Sequence, residues 1–182
     1  MTIQTDVMAL KTGNAFVYGD DINTDVLAPG AYLKFSIEEQ AKYCLQAIDP
    51  NFVSTVKPDD VVVGGENFGV GSSREQAALS LVILGVRYVI AKNFSRIFYR
   101  NAFNVGLIPL ISAEVEEIKS GDNLRIDPFA GNVANLTRNQ NYRTAPVPEH
   151  LMKIVQAGGL LVDLKKRLEE GGIRNARYRK TP

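Results

Sequence analysis

Three valines, Val61 to Val63, run into GGENFGVGSSREQAAL, Gly64 to Leu79, where four glycines surround two adjacent serines and an arginine ahead of an apolar run. A short β-branched run closed by glycine reads as a buried strand. Ser73 to Leu84, ended by Gly85, reads as a helix. Arg87 to Ala91 supplies a second strand, Ser95 to Val105 a second helix stopped by Gly106, and Leu107 to Ile111 a third strand. Strand, loop, helix, strand is a βαβ unit, so the sheet core is expected to hold three consecutive parallel strands with right-handed crossovers.

The flanking segments extend this α/β core. Ala15 to Tyr18 is a strand candidate leading into GDDINTDVLAPGAYL, Gly19 to Leu33, whose Gly, Asp, Asn and Pro content marks a structured loop. Ser36 to Ala47 has helical apolar spacing, with Ser36 and Glu39 forming a capping box. From Gly121 the pattern changes to short alternating strands, Asn123 to Asp127, Gly131 to Leu136 and Gln140 to Ala145, which predicts a smaller antiparallel layer. Pro148 to Gly158 and Leu164 to Gly171 read as helices. With neither repeats nor linkers, residues 1–182 are read as one domain with a basic tail from about residue 172.

Composition removes several function classes. Lys plus Arg total 21 and Asp plus Glu 20, so a net charge of +1 gives no field that would draw the whole molecule onto nucleic acid or anionic lipid. From Lys165 onward seven basic residues (Lys165, Lys166, Arg167, Arg174, Arg177, Arg179, Lys180) face two acids, Glu169 and Glu170, which suits a solvated tail or docking arm better than an RNA site. Cys44 is the only cysteine, too few for a disulfide or for an iron-sulfur cluster. His150 is the only histidine and falls in a helix-like segment far from the glycine loop in sequence. No membrane span and no targeting start is apparent, so a cytoplasmic protein is expected.

The glycine loop is the chemically informative stretch. Gly69 and Gly71 let the backbone turn sharply beside a ligand, and the following helix directs free N–H groups back into the loop. Arg74 adds a planar, bidentate donor, so the loop is read as an anion site. A nucleotide fits poorly: GVGSSR has neither a third glycine nor the Gly-Lys-Ser/Thr of a phosphate loop, and no acid at ribose distance. A small carboxylate fits better, gripped by Arg74 while a serine hydroxyl reaches the reacting carbon. The purely structural alternative has Ser72 capping toward Glu75 and Ser73 toward Gln76.

GDDINTDVLAPGAYL and GENFGVGSSRE, followed by VIAKNFSRIFYRNAFNVGLIPL, together resemble the aconitase superfamily, most closely the small subunits of 3-isopropylmalate dehydratases (isopropylmalate isomerases) and related hydro-lyases. The resemblance covers about Ala15 to Leu110 in register. It implies a swivelling β/β/α domain that closes over a separate large subunit carrying a 4Fe-4S cluster, this chain binding no cofactor itself. The pair dehydrates and rehydrates 2-hydroxy di- or tricarboxylates, in leucine biosynthesis for isopropylmalate.

By the same resemblance Ser72 is the base that removes a proton beside a carboxylate, and Ser73 and Arg74 are substrate ligands. A serine acts as a base only where N–H groups and a cation stabilise its alkoxide. Thr24 and Asp25 match the Thr-Asp of the family's other motif; Asp25 either orients the loop or a neighbouring cation, or stabilises an Asx turn. The segment Ala31 to Phe35 lies where substrate choice is set: Lys34 suits an additional carboxylate, whereas Tyr32, Leu33 and Phe35 suit an alkyl group. Where relatives commonly have Cys and His, in GCGSSREH, this chain has Val70 and Gln76, which leaves the expected proton-transfer residues intact but gives room for altered loop packing and for a substrate other than isopropylmalate. The rival expectation is a non-catalytic regulatory module that keeps the anion loop and engages RNA or protein.

Overall fold

The computed structural model describes residues 10–169. The basic residues expected in the tail from about residue 172 lie outside them.

Among the described residues seven strands, numbered β1 to β7 along the chain, form one mixed sheet in the order β4-β3-β2-β1-β5-β6-β7. The βαβ reading holds: β2 (Val61–Val63), β3 (Tyr88–Ala91) and β4 (Ile108–Ile111) are parallel neighbours, joined through α4 (Gln76–Ile83) and α5 (Arg96–Val105). β1 (Thr12–Val17) is the hinge of the sheet. Its second half, Ala15 to Val17, pairs in parallel with β2, and its first half, Thr12 to Asn14, pairs antiparallel with β5 (Asn123–Asp127). β6 (Asn132–Asn135) and β7 (Gln140–Arg143) follow, so the antiparallel strands continue the same sheet.

The period of two along the valine run sorts side chains to opposite faces. Val62, Val89 and Ala91 pack with Leu27, Cys44, Leu45, Phe52, Leu81 and Phe98 in one apolar cluster. Val61, Val63 and Ile90 join Phe103, Leu124, Ile126, Tyr142 and Met152 in a second. The parallel strands are thus covered on one face largely by helices and on the other by the curled antiparallel strands and α6 (Glu149–Ala157), which gives the β/β/α layering.

Local departures have local causes. Ser36 caps as expected, accepting from the Glu39 N–H at 3.3 Å, but the helix is only Ile37–Ala41, α2. The following turns bring Leu45 to φ +60°, where its N–H donates to the Val26 carbonyl of α1 (Thr24–Leu27). That tertiary bond overrides the helical spacing. A short α3, Phe52–Thr55, follows, which the sequence reading lacks. α7 spans Leu160–Glu169, starting earlier than expected. Among the described residues no helix is long and apolar enough to cross a membrane.

Candidate active site

The parallel strands deliver three loops from their carboxyl ends, where open α/β sheets place ligand sites. The β1 exit carries Asn23, Thr24 and Asp25; the β2 exit carries Gly64 to Glu75; the β3 exit carries Lys92 to Ser95. Backbone bonds knit them together: Gly69 N–H donates to Ile22 O at 2.7 Å, Thr24 N–H to Val70 O at 2.9 Å, and Phe68 N–H to Asn93 O at 3.2 Å. Ser95 caps α5 and also donates its hydroxyl to Gly69 O at 2.7 Å.

Two glycines are required by this packing. Gly69 has φ +75° and lies so close to Phe98 that a Cβ would fall 2.2 Å from the ring carbon Cγ. Gly71 has φ +123°, and its Cβ would stand 2.6 Å from Thr24 Oγ1. Any side chain at position 71 would therefore push Thr24 away from the next residue, Ser72.

Thr24 is the inner wall of the site, only 1% exposed. Its Oγ1 accepts the Ser72 N–H at 2.9 Å and lies 3.4 Å from Ser72 Oγ. Neither serine caps the helix. α4 begins at Gln76, three residues later than the sequence suggested, and its first residue is preceded by Glu75 with no side-chain cap bond. The capping alternative thus fails for both Ser72 and Ser73, and both lie on the exposed surface of the loop.

Arg74 is fixed from one side. Its Nη1 donates to Asp25 Oδ1 at 2.5 Å and to Ala28 O at 3.0 Å. A guanidinium has five N–H donors; Nη1 uses both of its own here, leaving Nε and Nη2, the edge that can meet a carboxylate with two parallel bonds. Asp25 therefore bears on the arginine. The Asx turn at this point belongs to Asn23, whose Oδ1 accepts from the N–H groups of Asp25 at 2.9 Å and Val26 at 3.0 Å. Asn23 and Ser95 are not among the site residues expected from sequence, where Ser95 figures only as a helix start, although Asn ahead of Thr-Asp and Ser ahead of a helix are both cap signals.

The remaining expected residues are less directly joined to this center. The 3₁₀ turn Gly30–Tyr32 starts beside the arginine, since a Cβ on Gly30 would lie 3.8 Å from Arg74 Nη2. Tyr32 stacks on Tyr43 with ring centroids 3.5 Å apart, and Lys34 Nζ sits over the Phe35 ring at 5.3 Å. Neither is hydrogen-bonded to Ser72 or Arg74. Val70 is exposed, with its carbonyl rather than its side chain holding Thr24, and Gln76 is the first residue of α4. His150 is exposed in the first turn of α6.

Comparison with known proteins gives a consistent result. Residues 36–115 match the model of the aconitase C-terminal domain. A 3-isopropylmalate dehydratase small subunit of Archaeoglobus fulgidus is 48% identical over 156 residues, covering 85% of this chain and 94% of that protein. An isopropylmalate/citramalate isomerase small subunit of Methanocaldococcus jannaschii is 44% identical, covering 87% of this chain and 95% of that protein. The crystal structure of a 3-isopropylmalate dehydratase from Methanocaldococcus jannaschii superposes with a TM-score of 0.83 at 44% identity, over 88% of this chain and 96% of that one.

Proposed function

The chain belongs to the family of 3-isopropylmalate dehydratase small subunits in the aconitase superfamily, and on that premise we propose that Ser72, Arg74 and their supports are this subunit's share of a hydro-lyase active site. The activity is that of 3-isopropylmalate dehydratase, in leucine biosynthesis, exercised with a large subunit. The relatives named above lend no support to the regulatory or RNA-binding alternative.

The donor set of this chain does not fit a cluster. Its one thiol, Cys44, is fully buried and pushed far above the usual thiol range by that burial. Among the described residues no three His, Cys, Asp or Glu side chains stand close enough to share a metal. The 4Fe-4S center that the family implies would be held by the large subunit, where it would supply Lewis-acid chemistry toward the substrate hydroxyl. A cytoplasmic location goes with this reading.

What remains for this chain is proton transfer and recognition. Nε and Nη2 of Arg74 bind a substrate carboxylate, which sets the neighboring C–H bond toward Ser72. Ser72, as its alkoxide, accepts that proton; the electron pair of the broken C–H bond forms the double bond as hydroxide leaves on the partner's side. Thr24 and the N–H groups following Ser72 stabilise the charge that the alkoxide carries beforehand. Ser73, exposed beside it, completes the contact with the acid.

The observation that carries this reading is that Ser72 is held by Thr24 from another loop and caps nothing. Its test is reconstitution with the cluster-bearing large subunit. Ser72→Ala is expected to lower kcat by orders of magnitude without weakening assembly. Near-normal turnover by that variant would overturn the assignment.

A further inference from the structure

One face of α5 supports the glycine loop at Gly69 and Ser73. Ser95, Phe98 and Asn101 recur every three residues and so share a side of the helix. Ser95 bonds Gly69 O, Phe98 underlies Gly69, and Asn101 Nδ2 donates to Ser73 O at 3.2 Å. The last contact fixes a peptide rather than a side chain.

The peptide joining Ser73 to Arg74 is trans, as are all those among the described residues, so its C=O and N–H point in opposite directions. Drawing Ser73 O onto α5 turns the Arg74 N–H away from α5. No acceptor among the described residues takes that N–H, nor those of Ser73 and Glu75. Elsewhere in the loop the N–H groups of Phe68, Gly69, Val70 and Ser72 all have partners. Unpartnered N–H groups thus flank the serine, at Gly71 before it and at Ser73, Arg74, Glu75 and Gln76 after it.

We infer that Asn101 is a positioning residue: by holding Ser73 O it orients the free Arg74 N–H that stabilises charge on Ser72 and on the reacting acid. This rests on the assignment of Ser72 as the base. Without the Asn101 donor the peptide is free to rotate, and a rotated peptide would present a carbonyl oxygen where charge develops.

Asn101→Ala and the equally sized Asn101→Asp, which lacks the donor, test this in the complex reconstituted with the large subunit. For both, kcat is expected to fall on the order of 10- to 100-fold, below the 10²–10³ typical of deleting an oxyanion donor outright, with KM changed less than about twofold. The rising limb of the kcat-pH profile should move upward by roughly one pH unit, because a less stabilised alkoxide has a higher pKa. Thermal stability of the subunit and affinity for the large subunit should hold. An unmoved pH limb with kcat within about twofold, or a loss that merely tracks stability or assembly, overturns the inference. Ser72→Ala assayed alongside separates the failures: if it stays active the base assignment is wrong, and if it is inactive while both Asn101 variants are normal, only the role of Asn101 falls.

Discussion

Thr24 Oγ1 accepts the Ser72 N–H at 2.9 Å and stands 3.4 Å from the Ser72 hydroxyl oxygen, so a residue on the β1 exit loop places the serine that we propose as the base on the β2 exit loop. Thr24→Val keeps the shape but leaves the Ser72 N–H unpaired at a cost of about 1–3 kcal/mol. It should lower kcat at least about tenfold, whereas Thr24→Ser, which retains the hydroxyl, should keep most of the activity. If serine and valine are equally impaired, the methyl group matters and the hydroxyl does not.

Variants of Arg74 and Asp25 test the proposed recognition role apart from proton transfer. Arg74→Lys keeps the charge but has no planar fork to serve Asp25, Ala28 O and a substrate carboxylate together. Binding of every dicarboxylate should weaken similarly, by about 1.5–3 kcal/mol for a charge-assisted bond. Asp25→Asn should act in the same direction but less, about 0.5–1 kcal/mol, because the aspartate side chain is 68% exposed against 22% for the arginine. Both changes belong in KM more than in kcat. A kcat-only loss for Asp25→Asn would mean that the carboxylate acts on the reaction and not through the arginine.

Much of this arrangement can be read from residue types alone. The valine run, Gly85, Ser95 and Gly106 mark the βαβ core because strand length, helix caps and left-handed C-terminal glycines are local properties. The anion character of GVGSSR is legible for the same reason. The partnerships are not. Ser72 with Thr24, Arg74 with Asp25 and Ser73 O with Asn101 are separated by 48, 49 and 28 residues, and no local rule distinguishes a serine that caps from one held by another loop. The late start of α4 and the early end of α2 have the same origin, since both follow from bonds to α1 or its flanks: Ser72 to Thr24, and Leu45 to Val26.

Lys34 was the expected reader of an additional substrate carboxylate, and its ammonium lies over the Phe35 ring in an exposed turn. An exposed cation–π contact contributes about 0.5–1 kcal/mol. Leu33 and Phe35 beside it are exposed hydrophobics, and we propose that they, and not Lys34, meet the variable substituent. Lys34→Ala should therefore change kcat/KM by a similar small factor across a panel of 2-alkyl and 2-carboxyalkyl malates, while Phe35→Ala should penalise the branched alkyl members selectively. A selective loss of the tricarboxylates in Lys34→Ala would show that Lys34 reads the additional carboxylate.

The final prediction concerns Asp122, which ties the antiparallel strands to β1 and so holds the sheet on which the site depends. Its Oδ2 accepts from Lys119 N at 2.9 Å, Asn135 Nδ2 at 2.8 Å and Arg138 Nε at 2.7 Å, with the side chain 4% exposed. Its carbonyl receives the Ala15 N–H at 2.8 Å. Burial raises the pKa of this carboxyl, but the bonds from Lys119, Arg138 and Asn135 outweigh burial and hold it below the ordinary carboxylate value. A depressed native pKa means that the unfolded chain binds the proton more readily. The stabilisation is complete above the unfolded pKa and is lost as pH falls through the lower native one. Asp122→Asn should thus cost about 1.5–3 kcal/mol at neutral pH, read by denaturant unfolding. The gap between variant and parent should close as the pH is lowered below the carboxylate range. A gap that stays constant with pH would assign the loss to packing and not to the charge.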